Sequence, residues 1–166
     1  AETAGLVSSL REQLDRLTAL VRTLLEMSNL QSVSRTDQIA LAPLVEEILT
    51  DLTSLAQKNN ISLQQDCAEL GMVGSDALIY RLVFNLVENG IKYNHPGGAV
   101  RVTLRQERQN AVLRVADTGP GIPADCRESI FQPFFRVDKS RSRAEGGSGI
   151  GLALCARIAN AHGAKL

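Results

Sequence analysis

Asn85, Asn89 and Lys92 recur at steps of four and three within Asn85-Leu86-Val87-Glu88-Asn89-Gly90-Ile91-Lys92-Tyr93. At about 3.6 residues per turn they share one face of a helix, while Leu82, Val83 and Leu86 fall on others. Such a stripe is either the wet face of a surface helix or a seat for a polar guest. Amide oxygens beside an ammonium suit a divalent cation carrying a phosphate chain. Two further groups favour the guest. Asp117 shares strand parity with Leu113 and Val115, which turns its carboxylate toward the core side, and Thr118-Gly119-Pro120-Gly121 follows, a turn where backbone can approach a ligand closely. Gly146-Gly147-Ser148-Gly149-Ile150-Gly151 opens an apolar helix through Leu154 and Ile158 to His162, and its unpaired N–H groups at a positive helix end form an anion seat. That turn is not GxxxxGK[ST] and no strand precedes it as a dinucleotide fold requires, so alone it reads equally well as a loop and cap.

Several elements must position these groups. Val7, Leu10, Leu14, Leu17, Val21 and Leu24 alternate in steps of three and four, the seam of a coiled coil or four-helix bundle or, alternatively, of a helix laid on its own domain. Ser, Asn and Gln from Asn29 to Asp37 break it and read as a linker. The expected organisation is a dimerisation helix over 1–30, a linker over 31–38 and a second domain over 39–166. In that domain Ile39 and Leu41 suggest a short strand; Pro43, Leu44, Ile48, Leu52 and Leu55 an amphipathic helix to about Lys58; Asn59-Asn60 a stop. Ile61 and Leu63, then Met72 and Val73, supply strand material on either side of a turn, and Ser75 and Asp76 can cap the striped helix. Pro96-Gly97-Gly98 closes that helix. Val100, Val102 and Leu104 alternate with Arg101, Thr103 and Arg105, and a polar turn at Arg108 to Asn110 returns the chain as a hairpin with one wet face. Arg136 to Glu145 has almost no apolar anchor and reads as a flap.

The 166 residues carry 18 basic and 18 acidic side chains, so whole-chain charge calls for neither nucleic acid nor a membrane surface. Cys67, Cys126 and Cys155 lack metal-ligand spacing and read as thiols of a reducing compartment. With no apolar run of about 18 to 20 residues and no secretory leader, the expectation is a soluble, cytoplasmic piece, opening on Ala1 as part of something longer.

In their order the motifs resemble those of sensor histidine kinases. Asn85 to Tyr93 is similar to the N box, Asp117 to Gly121 to the first glycine box, Ile130-Phe131-Gln132-Pro133-Phe134-Phe135-Arg136 to the F box, and Gly147-Ser148-Gly149-Ile150-Gly151-Leu152 to the second glycine box. The resemblance covers roughly Leu41 onward, and Leu10 to Leu30 looks like the second helix of that family's dimerisation and phosphotransfer hairpin. It implies a Bergerat-type (GHKL) α/β fold, a two-layer α+β sandwich with one mixed sheet faced by helices on one side. It implies ATP and Mg²⁺ as ligands. Asp117 would accept from the adenine amine, which guanine lacks at that place. Gly119 and Gly121 would close over the base, and Tyr93 would lie along base or ribose. Asn89, with Asn85, would hold Mg²⁺, and Lys92 would add charge. Ser148, Gly149, Gly151 and Leu152 would form the phosphate end, with the flap as ATP lid. Glu88 and Asn85 are the residues nearest to catalysis. Partners implied are a response regulator receiver domain and a second copy through the N-terminal helix, in a parent protein anchored to the membrane with this part on the cytoplasmic side.

The resemblance breaks in two places. No histidine followed by an acid and soon by Pro is present; the two histidines, His95 and His162, read as loop and cap residues. After His162-Gly163 the family continues through at least two more strands, which are absent here. Related ATPases carry a glutamate base where this chain has Asn85, and an amide takes no proton from water, so transfer is favoured over hydrolysis. The competing readings are a dimerisation or regulatory module with a vestigial pocket, and an ATPase or serine kinase of the same superfamily.

Overall fold

The computed structural model describes residues 28–137 and 149–166, together with Val7, Leu10, Gln13, Leu14, Leu17, Thr18, Val21, Leu24 and Leu25. In chain order it contains β1 (Asp37–Ala40), α1 (Leu41–Asp51), α2 (Thr53–Lys58), β2 (Ser62–Cys67), β3 (Gly71–Gly74), α3 (Asp76–Lys92), β4 (Ala99–Glu107), β5 (Asn110–Asp117) and α4 (Gly151–Ala161), with short 3-10 turns at Leu30–Ser32, Ala124–Cys126 and Ser129–Phe131.

Leu41, Leu44, Val45 and Ile48 form one buried stripe on α1, and Pro43 sits in the first turn, where its missing N–H would have had no intrahelical partner. The sequence suggested one helix to Lys58; the structure divides it at Leu52. The Leu52 and Ala56 N–H groups still donate one turn back, at 3.0 and 2.9 Å. Thr50 and Thr53 hydroxyls also donate to the carbonyls of Glu46 and Leu49, each at 2.9 Å, and such back-bonding bends a helix without breaking it.

The two strand segments before α3 do not pair with each other. β3 runs antiparallel to β1, while β2 lies parallel to β4 in a second sheet of order β2-β4-β5. The expected single mixed sheet is thus two sheets, because parallel pairing needs a long crossover and α3 supplies it between β2 and β4. β1 begins at Asp37, two residues inside the segment read as a linker. The hairpin is as expected, with Glu107 opposite Asn110 and Val100 opposite Asp117.

Val100, Val102 and Leu104 of β4 are fully buried, whereas Arg101 donates to Gln64 and Arg105 pairs with Asp66 on the wet face. The helices meet the dry face: Ile79, Val83, Val87 and Ile91 of α3 and Ala153, Leu154 and Ile158 of α4 are buried with them. Fully burying each of the Val, Leu and Ile side chains contributes about 1.5–3 kcal/mol, and this core holds α3 against the sheet. Leu30 is also buried, its turn against α4. The N-terminal stripe is different. Its described positions are helical, and Val7, Leu10, Leu14, Leu17, Val21 and Leu24 are 42% to 65% exposed.

Candidate nucleotide-binding site

α3 carries the asparagine stripe, and the structure splits it into three environments. Asn85 is buried, 8% exposed, and its amide nitrogen has no hydrogen-bond partner of ordinary geometry. It lies beside the Cys155 thiol of α4, whose pKa burial pushes up to about 11, with the Asn85 amide acting in the opposite sense. Asn89, one turn on, is half-buried. Lys92 donates to Glu88 at 2.8 Å, so those two charges are set along the helix as a pair. Tyr93, just past the helix, is 44% exposed.

Asp117 ends β5 facing α3, as its strand parity implies, yet solvent reaches it. The contact is made at Gly90. A Cβ built there would lie 3.2 and 3.3 Å from the Val100 methyls and 3.5 Å from the Asp117 Cβ. Glycine in mid-helix costs up to about 1 kcal/mol against Ala, and that cost is offset by the close approach of strand to helix. The Gly119 N–H donates to Asp117 Oδ1 at 2.8 Å. No hydrogen bond among the described residues reaches Oδ2, which leaves one carboxylate oxygen for a ligand donor. Gly119 itself rests on Tyr93: a Cβ there would stand 2.8 Å from the Tyr93 carbonyl oxygen. The first glycine box and the end of α3 are therefore in direct contact. Gly121 has φ 75° and open space where a Cβ would be.

The second glycine box opens α4. Gly149 accepts the Phe134 N–H at 2.9 Å, tying it to the F box, whose turn Ser129–Phe131 packs on α4. Gly151 begins the helix and Leu152 is half-buried behind it. Ser148 and the flap from Asp138 to Glu145 lie outside the described residues. A shallow cavity of about 350 Å³ lies elsewhere, lined by Pro43, Glu46, Asp66, Cys67 and Glu69 among others. Its carboxylates repel phosphate.

Asp37, His162 and Asn94 hold this arrangement in roles that reading the sequence missed. Ser75 precedes α3, but its side chain makes no capping bond. The Asp37 carboxylate instead accepts from the Asp76 N–H at 3.0 Å, and His162 Nε2 accepts from the Ser75 N–H at 3.0 Å while Nδ1 donates to the Ile158 carbonyl at 2.8 Å. His162 is thus a cap, but of α3 rather than of its own helix. His95 is a loop residue, its N–H donating to Asn94 Oδ1 at 2.9 Å. Asn94 and Thr118 join the end of α3 to the start of β4; an Asn ahead of Pro-Gly-Gly was the available sign of such a turn.

Residues 74–166 match the family model described as histidine kinase-, DNA gyrase B-, and HSP90-like ATPase. The chain belongs to this family. Its members are ATPases by description, so the ligand class of the site is a nucleotide, and the mixed α/β architecture is the family's. The chain is 36% identical to the sensor histidine kinase RppB of Synechocystis over 170 residues, covering 99% of this chain and 37% of that protein; it spans well under half the length of that curated relative. Among solved structures, the mycobacterial sensor histidine kinase MprB superposes with a TM-score of 0.68 at 28% identity, over 77% of this chain and 80% of that one. The histidine kinase ThkA, in complex with the response regulator protein TrrA, shares the fold with a TM-score of 0.74 at 23% identity, over 95% of this chain and 44% of that one. Among the described residues no helix is long and apolar enough to cross a membrane.

Proposed function

We propose that this chain is the ATP-binding catalytic region of a sensor histidine kinase, joined through residues 31–38 to the second helix of a dimerisation hairpin over 1–30. The observation that carries it is the corner where Asp117, one oxygen held by Gly119 and the other open, faces Gly90 beside Tyr93. Asp117 accepts from the adenine exocyclic amine, a donor that guanine does not offer there. Gly119 and Gly121 leave room for the base, and Tyr93 covers base or ribose. Asn89 and Asn85 offer amide oxygens to Mg²⁺, which, when bound, offsets the charge of the triphosphate. A buried amide with one end unpartnered, as at Asn85, suits a site that awaits a polar ligand. Lys92 adds positive charge and orients Glu88, the acid nearest to the transfer. Gly149, Gly151 and Leu152, with Ser148, seat phosphate at the start of α4.

The γ-phosphate passes to a histidine of the hairpin's other helix and on to an aspartate of a receiver domain. The exposed heptad face pairs with a second copy. The parent protein is membrane-anchored with this region on the cytoplasmic side. Titration with Mg-ATP and Mg-GTP tests the reading: ATP binding with weak GTP binding is expected, and tight GTP binding with indifference to ATP overturns it. Adding a separate acceptor-bearing hairpin should restore phosphohistidine formation. A dimerisation module with an inert pocket is the second reading, favoured by the exposed heptad face; self-association with no heat of Mg-ATP binding would select it. Hydrolysis as the main activity is disfavoured by Asn85, which cannot serve as a base.

A further inference from the structure

We infer that Asn94 and Thr118, which none of the four boxes assigns a role, are positioning residues that set adenine selectivity by holding the Asp117 carboxylate; the inference rests on the reading of Asp117 as the adenine acceptor. Asp117 is the last residue of β5, paired with Val100, and β5 pairs with β4 alone among the described strands. A strand end with one neighbour frays unless something beyond it is fixed. Here the next residue is fixed three times. The Thr118 N–H donates to the Ala99 carbonyl at 3.1 Å. The Thr118 hydroxyl accepts from the Ala99 N–H at 2.9 Å and donates to Asn94 Oδ1 at 3.1 Å. Asn94 Nδ2 closes the ring by donating to the same Ala99 carbonyl at 3.0 Å.

The hydroxyl acts as donor and acceptor at once, so Ser fits this ring and Val does not. Asn94 likewise uses both ends of its amide, and Oδ1 takes the His95 N–H as well. The ring closes tightly around Gly98, where a Cβ would stand 2.4 Å from Asn94 Oδ1 and 2.6 Å from Thr118 Oγ1. Beyond Thr118 the chain goes directly to Gly119, whose N–H is bonded to Asp117 Oδ1 and which packs so close to the Tyr93 carbonyl that no Cβ would fit. The ring therefore ties the residue that follows the carboxylate to the start of β4 and the end of α3. A hydrogen bond to a base weakens steeply with a few tenths of an ångström of misplacement or poor angle. What the ring controls is the orientation of Oδ2, and hence discrimination between an amine and a carbonyl on the base.

The test compares ATP with ITP, which carries a carbonyl in place of the amine, by calorimetry on this chain and its variants. The unaltered chain is expected to prefer ATP. Thr118→Val should weaken ATP about tenfold, the loss of one to two hydrogen bonds to a charged acceptor's support, while leaving ITP almost unchanged, so that selectivity collapses. Thr118→Ser should restore both affinities to within about twofold, and Asn94→Ala should lie between. A Thr118→Val chain that keeps the ATP-to-ITP ratio overturns the inference, as does equal weakening of both nucleotides in step with a lowered melting temperature. Should Thr118→Val fail to fold, an Asn94→Ala chain with an unaltered ratio overturns it too. An unaltered chain that does not distinguish ATP from ITP overturns the Asp117 reading itself and the inference with it; preference for ATP that survives the variants overturns the inference alone.

Discussion

The two ends of α3 are both fastened by side chains from distant parts of the sequence, yet only one end faces a ligand. At the start, Asp37 and His162 take the Asp76 and Ser75 N–H groups, and Tyr80 donates to the Asp51 carboxylate while stacking on Phe84 with ring centroids 5.8 Å apart. The backbone N–H groups of Ser75 and Asp76 that open the helix both meet side-chain acceptors there. At the other end Asn85 keeps an amide nitrogen with no hydrogen bond of ordinary geometry, Asp117 keeps an oxygen open and Tyr93 stands exposed. Completed hydrogen bonding marks an anchor, and incomplete hydrogen bonding in a rigid setting marks a site.

Substitutions should separate the two ends. Gly90→Val has the largest effect, because the added carbons enter space already within 3.2 to 3.5 Å of Val100 and Asp117; overpacking should cost up to about 3 kcal/mol, and both denaturant stability and ATP binding should fall. A variant of normal stability that still binds ATP would break the comparison at its centre. Asp117→Asn comes next. ATP affinity should drop about ten- to hundredfold, in line with about 1.5–3 kcal/mol for a hydrogen bond to a charged group, with the melting temperature unchanged. His162→Phe should do the reverse: the buried Ser75 N–H loses its acceptor at a cost of about 1–3 kcal/mol, seen in chemical denaturation, while nucleotide affinity holds.

The smallest effect belongs to Tyr80. Burial first, and then the bond to Asp51, push its pKa from 10.0 up to about 12. A raised pKa means that the folded state keeps the proton longer than the unfolded chain does, so the contribution is complete below pH 10 and fades as pH rises through 12. Tyr80→Phe should cost about 0.5 kcal/mol near neutrality and flatten the stability curve between pH 10 and 12, followed by denaturation at stepped pH. A steeper curve in the variant would contradict the assignment.

Much of this was readable from the chain alone. The alternation of Val100, Val102 and Leu104, the step pattern of α1 and the ordered N, glycine and F motifs identify elements and family, because periodicity and turn residues act over a few neighbours. Gly90 shows where that stops. By propensity it is a small penalty in a helix; in three dimensions it is the place where helix and strand touch. The capping of α3 shows the same limit, since Ser75 looks like a cap locally while the acceptors come from Asp37 and His162.

Sequence by itself determined which segments are helix or strand, which side chains have the chemistry for a nucleotide, and that the motifs are those of sensor histidine kinases. Only tertiary structure decided that β2 pairs with β4 rather than β3, that Asn85 is buried against Cys155, and that Thr118 and Asn94 share a ring through Ala99. The reason is physical: periodicity and turn chemistry are set by residues close along the chain, whereas pairing, burial and the remaining hydrogen-bond vacancies depend on which distant segments packing brings together.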